Sequence, residues 1–126
     1  MRTRRATFAS AILGACLLAL PAWAGQTFED KAFAQAQAEG KSILVDVKAP
    51  WCPTCARQQP IIDGIQLSEP QLVVFDVDFD TAKDVLRRFK VGMQSTLIVF
   101  KGATEVDRST GQTDPEAIKA MIAKGM

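Results

Sequence analysis

Ser42-Ile43-Leu44-Val45-Asp46-Val47-Lys48-Ala49-Pro50-Trp51-Cys52-Pro53-Thr54-Cys55 is the stretch whose reading decides the fold. Its first residues are apolar and rich in β-branched side chains, the signature of a buried strand. From Cys52 to Leu67 the pattern changes, with Ile61, Ile62 and Ile65 facing inward along a helix. Cys52 therefore stands at a strand-to-helix junction, where the positive end of the helix dipole favours a thiolate. Cys55 follows three positions on, about one helical turn away, so the two thiols can close a disulfide and open it again. Closing so small a loop adds little stability, which argues for a redox pair over a structural crosslink.

The rest of the chain is read outward from this junction. Upstream, Thr27 with Asp30 three residues later forms a weak capping box for a helix whose apolar face is Phe28, Ala32, Phe33 and Ala36, ended by Gly40. Downstream, Pro60 falls inside the second helix and predicts a kink. Ser68-Glu69-Pro70 is a break, and Gln71 to Phe79 reads as a second strand. Thr81 to Phe89 reads as a helix, with Ala82, Val85, Leu86 and Phe89 buried. Thr96 to Phe100 is a third strand, and Gly102 turns it into a hairpin with Glu105 to Ser109. Asp114-Pro115 opens a last helix, an N-cap with proline at the first position, and Ile118, Met121 and Ile122 form its apolar face. The order α-β-α-β-α-β-β-α predicts an α/β domain, with a central mixed sheet of about four strands covered by helices on both faces.

Residues 1–24 read as a signal peptide rather than as part of that domain. Arg2, Arg4 and Arg5 form a basic start, Ala9 to Leu20 is apolar but short for a bilayer span, and Ala22-Trp23-Ala24 is a small-x-small cleavage signal before Gly25. Leu13-Gly14-Ala15-Cys16 loosely resembles a lipoprotein box, but the apolar run before Cys16 is very short and continues past it. The expectation is a periplasmic protein cleaved after Ala24, with a lipid anchor at Cys16 as the lesser alternative. The domain would then be residues 25–126, with 12 basic and 14 acidic side chains once three arginines leave with the leader. No basic stripe exists to hold nucleic acid. Histidine is absent from the whole chain, which excludes Ser-His-Asp and Cys-His catalysis and imidazole metal sites.

The element order, with Trp-Cys-x-x-Cys after the first long strand, resembles the thioredoxin fold over nearly all of Phe28 to Met126. Asp46 lies six residues before Cys52, where that family carries a buried acid that handles the second cysteine's proton. Pro60 sits at the family's helix kink, and Thr96-Leu97-Ile98-Val99-Phe100-Lys101-Gly102 resembles its strand and turn after the conserved loop. Pro53-Thr54 is similar to the exported thioredoxin-like reductants of cytochrome c maturation. Ser68-Glu69-Pro70-Gln71 is similar to the C-terminal domain of the membrane thiol:disulfide interchange reductant. Three departures stand out. Ser95 replaces the family's cis-proline, so Gln94-Ser95 is expected to be trans. Asp76 aligns with the family's lysine, and its approach to Asp46 would raise the pKa of one carboxyl, with Lys48 on the same strand face in a position to compensate. Lys48 itself stands where many thioredoxins carry a second tryptophan.

The resemblance implies a thiol:disulfide oxidoreductase without a cofactor or metal. Cys52 is the nucleophile, Cys55 the resolving thiol and Asp46 the acceptor of its proton, while Trp51, Pro53, Thr54, Gln94 and Ser95 form the surface that meets the substrate. The partners implied are disulfide-bearing proteins and a membrane thiol carrier, with the chain a monomer. The direction expected is reduction of partner disulfides. The alternative is a carrier of a soft ion such as copper(I), held between the same two thiolates. Asp76, Asp78, Asp80 and Asp84 are read as solvated, since alternation spreads them over a strand and a helix start.

Overall fold

A computed structural model describes residues 25–126, so the leader and Cys16 lie outside the described residues. The elements run β1 (Gln26–Thr27), α1 (Asp30–Ala38), β2 (Ser42–Lys48), α2 (Pro53–Ser68), β3 (Val73–Asp78), α3 (Lys83–Phe89), β4 (Thr96–Lys101), β5 (Thr104–Thr110) and α4 (Pro115–Ala123). They build one five-stranded sheet in the order β1-β3-β2-β4-β5. β1, β3 and β2 are parallel, and β4 and β5 are added antiparallel. The α/β architecture is the one expected, with one more strand.

The additional strand corrects the reading of Thr27. Gln26 and Thr27 pair with Phe75 and Asp76 as an edge strand, and the Phe28 amide donates to the Asp76 carbonyl at 2.9 Å. The cap of α1 is Glu29, in extended conformation and without a side-chain bond to the helix. Two residues cannot display a period, so nothing local marked them as a strand.

Alternation along β2 divides the core in two. Ile43, Val45 and Val47 join Phe33 and Ala36 of α1, Phe75 and Val77 of β3, and Leu86 of α3 on one face. Leu44 turns to the other face, with Ile62 and Ile65 of α2, Val74 of β3, Leu97 and Val99 of β4, and Ile118 and Ile122 of α4. Asp46 and Lys48 share the parity of Leu44, and so they fall on the α2 side. Six of the seven residues of β2 are buried, as expected for a central strand covered on both faces.

The two faces differ in chemistry. Phe28, Phe33, Phe75, Phe89 and Phe100 interlock on the first face, with ring centroids 5.1–5.9 Å apart and mostly tilted or edge-on. Such pairs contribute about 0.5–1.5 kcal/mol each beyond their burial. Arg88 lies over this cluster, 5.3 Å from the Phe89 ring, and pairs with Asp30 at 2.5 Å.

At the far edge, β5 is mostly exposed and charged. Arg108 pairs with Glu105 at 2.5 Å and Lys124 with Asp107 at 2.7 Å, and the β4–β5 register shifts at Val99/Phe100. The last helix begins as the sequence indicates: the Asp114 carboxylate accepts the Ala117 amide at 2.9 Å, with Pro115 at the first position.

Candidate active site

β2 delivers the chain to the site. After Lys48 it turns through Ala49-Pro50-Trp51, and Cys52 takes the N-cap position of α2 with φ −89° and ψ 110°. Pro53 occupies the first helical position, where its missing N–H costs nothing. The Cys55 amide donates to Cys52 Sγ at 3.1 Å, so sulfur fills the role an aspartate or serine oxygen usually takes at a helix start. A Cys52–Cys55 disulfide closes this turn, with Cα atoms 5.3 Å apart. Both cysteines are buried, at 3% and 7% exposure. In the reduced chain, the free amide groups and the dipole of α2 would favour the Cys52 thiolate.

Trp51 is the exposed shoulder of the pair, at 56%. Its indole Nε1 donates to Asp80 Oδ2 at 2.8 Å, and its ring meets the edge of Phe79 at 6.4 Å. The ring is thus aimed outward and held from below. Asp80 was not singled out from the sequence, where it read as one member of a solvated acidic run. Its turn is fixed by its own amide, which donates to Asp78 Oδ1 at 2.8 Å.

On the β4 side lies the loop of Gln94 and Ser95. No cis peptide bond occurs among the described residues, and Ser95 takes a left-handed φ of 61°. Three backbone contacts hold it there. Its amide donates to the Val47 carbonyl at 2.8 Å, and its own carbonyl accepts from the Gly111 amide at 3.0 Å and from Gln58 Nε2 at 3.2 Å. Gln58 also donates to the Gln112 carbonyl at 2.9 Å and is 1% exposed. Gln58 is not among the residues that the sequence singles out. Its place three residues after Cys55 and four before Ile62, on the buried stripe of α2, was the available signal.

On the β3 side, Asp46 and Asp76 are register partners in parallel strands. Asp46 is 2% exposed, and its Oδ1 has no hydrogen-bond partner. Burial, seconded by the charge of Asp76 and opposed by that of Lys48, pushes its pKa up to about 7; the more distant Asp63 adds a further upward push. Lys48 Nζ binds Asp76 Oδ2 at 3.0 Å and donates to Gln59 Oε1 at 2.9 Å, and Gln59 in turn donates to Asp63 Oδ1 at 2.8 Å. Lys48 thus compensates the pair, through an ion pair with Asp76 and by its charge at Asp46. An open groove of about 640 Å³ runs along this side, lined among others by Thr27, Lys48, Cys52, Cys55, Gln59 and Asp76. Sequence-predicted residues therefore divide in space: Cys52 and Cys55 face the groove, Asp46 lies beneath α2 outside its lining, and Gln94 and Ser95 belong to the opposite flank of β2.

Comparison with known proteins agrees with this geometry. A family model described as thioredoxin matches residues 25–124. Thioredoxin of Chlamydia trachomatis is 30% identical over 99 residues, covering 79% of this chain and 96% of the relative. Thioredoxin-1 of Saccharomyces cerevisiae is 35% identical over 91 residues, covering 72% and 87%. Among solved structures, Trxlp from Edwardsiella tarda EIB202 is 42% identical and superimposes with a TM-score of 0.75, covering 79% of this chain and 98% of that one.

Proposed function

The chain belongs to the thioredoxin family, and from that premise we propose that it works outside the cytoplasm, in the reducing direction. The thiol-disulfide oxidoreductase chemistry itself, on disulfide-bearing proteins through the Cys52–Cys55 pair, follows from the family. The direction is read from Pro53-Thr54 between the cysteines, which resembles the exported reductants of cytochrome c maturation, and Asp46 serves the proton transfer.

Reduction of a partner proceeds in two exchanges. The Cys52 thiolate attacks one sulfur of the partner disulfide, forms a mixed disulfide and releases the first partner thiolate. Cys55 then gives up its proton and attacks Cys52 Sγ. The Cys52–Cys55 disulfide forms, the second partner thiolate leaves, and two electrons have passed to the partner. Only this second step needs a base for Cys55. In the oxidising direction the same exchanges run backwards: a partner thiolate attacks Cys52 Sγ, Cys55 leaves and regains its proton, and the partner's second thiol then releases Cys52. A buried carboxyl poised near 7 beneath α2 suits the acceptor role, through water, in a chain without histidine. That observation carries the role of Asp46, and the resemblance of Pro53-Thr54 to exported reductants carries the direction.

Trp51, flat and exposed, would press on the partner, with Pro53 and Thr54 beside it and the Gln94-Ser95 loop on the other flank. The leader supports export, and Pro53-Thr54 favours service to cytochrome c maturation, with a membrane thiol carrier renewing the dithiol. The reduction potential of the pair tests the direction, read from the fluorescence of Trp51, the single tryptophan after residue 24. A value at or below about −220 mV is expected, and one near about −120 mV would make the chain an oxidant. Cys52→Ser is expected to abolish dithiothreitol-driven insulin reduction, and retained activity would remove Cys52 from the nucleophile's place.

A further inference from the structure

Asp76 presents an unresolved charge problem. It stands where the family carries a lysine, it faces Asp46 across paired strands, and only one of its oxygens is served, by Lys48. Its Oδ1 is buried and has no hydrogen-bond partner. The groups around it are Asp46 and Lys48 from β2, Asp78 further along β3, Cys55, Gln59 and Asp63 from α2, and Thr27 from β1. Lys48 is the one cation among them.

Gly25 lies directly against this carboxylate. A Cβ placed on it would fall 2.7 Å from Asp76 Cγ and Oδ2 and closer still to Oδ1, so no other residue fits without displacing the acid. Standard backbone dimensions put the Gly25 nitrogen within about 5 Å of Oδ1. The position is fixed by β1, whose Thr27 is register-paired with Asp76. Gly25 is also the residue that follows the Ala22-Trp23-Ala24 cleavage signal.

We propose that removal of the leader after Ala24 turns Gly25 into an α-ammonium that pairs with Asp76 Oδ1, supplying by processing the second cation that this carboxylate lacks. The proposal rests on the reading of residues 1–24 as a cleaved signal. An amide N–H in the precursor becomes a charged group with three donors in the mature chain, beside the Asp76 carboxylate that lines the groove with Cys55. Through Asp76 the new charge opposes the upward push on Asp46, so the precursor and the mature chain differ in how readily Asp46 ionises. Gly25 is then a positioning residue acting through Asp76, and its smallness is what lets the terminus reach the acid.

The test begins with the product of the exported precursor. Its first residue is expected to be Gly25, and any other first residue overturns the proposal. In the mature chain labelled with ¹⁵N at Gly25, the α-amine is followed by NMR across pH. Its midpoint is expected above the ordinary range of about 7.7–8.0 and to return to it in Asp76→Asn. A wild-type midpoint within that range overturns the pairing. Acetylating the amine leaves the sequence intact and provides a second measurement. The Asp46 carboxyl, followed by ¹³C shift, is expected to titrate at higher pH, and an unmoved titration overturns the coupling. Insulin reduction is assayed separately: its absence in a chain whose amine still pairs with Asp76 would count against the redox reading alone.

Discussion

The two faces of the central sheet are built to opposite specifications. Under α1 and α3 lies a dry cluster of phenylalanines and aliphatic residues, with Arg88 closing its rim. Under α2 and near it, the sheet buries Asp46 and Gln58 beside its aliphatic core, and Asp46 Oδ1, Gln58 Oε1 and Gln66 Oε1 are left without partners. Unpaired buried polar atoms cost about 1–3 kcal/mol each in the absence of ordered water. A fold accepts that cost where chemistry requires it. The aromatic face provides stability, and the other face holds the polar groups on which the proposed mechanism draws.

This contrast can be broken most forcefully at Phe33, which is 1% exposed and touches four other rings. Phe33→Ala is expected to cost about 3–5 kcal/mol by denaturant unfolding. The loss should be the same at pH 5 and pH 8, and insulin reduction by the folded fraction should be unchanged. A loss that varied with pH would show that the two faces are coupled.

Asp46→Asn sharpens the comparison from the other side. A carboxyl whose folded pKa is raised from 3.8 to about 7 binds its proton more tightly in the folded chain. Its contribution to stability is therefore full below about pH 4 and is lost as pH rises through about 7. The neutral amide escapes that loss, so Asp46→Asn should be more stable than wild type at pH 8, by an amount on the order of 3–4 kcal/mol. The gain should shrink toward zero near pH 4, and resolution of the mixed disulfide should slow. Parallel pH–stability curves for the two chains would sink the assignment.

Gln58→Leu is the smallest of the three. It removes the donors that brace the Ser95 and Gln112 carbonyls, and it also removes an unpaired oxygen, so the stability change should stay within about 1–2 kcal/mol. Insulin reduction should fall further than stability does, because the Gln94-Ser95 loop, proposed to meet the partner, loses one of its holds. Equal activity at equal folded concentration would show that the Gly111 and Val47 contacts suffice.

The legible parts of this chain are those with a period, a cap or a fixed spacing. β2, α2 and α4 follow from a continuous apolar run, helical spacing and Asp114-Pro115, and the like-charge meeting of Asp46 and Asp76 follows from the family resemblance, which sets Asp76 at the family's lysine. What stayed hidden depends on partners far away in sequence. β1 exists only because β3 offers it an edge, and the cap at Glu29 has no side-chain signature. Asp80 matters through Trp51, 29 residues away, and Gln58 through Ser95, 37 residues away. Lys48 compensates the acid pair as expected, but that its contact would be an ion pair with Asp76 depends on side-chain reach across the sheet.

The outer strand of the sheet has a consequence for crowding. An unpaired strand edge is a template on which other chains can add strands and aggregate. β5 meets that hazard with Glu105, Asp107 and Arg108 in close succession, each charge already engaged locally, and with the register break at Val99/Phe100 that disturbs the regular ladder behind them. A chain that acts on disulfide-bearing proteins is thereby discouraged from joining them.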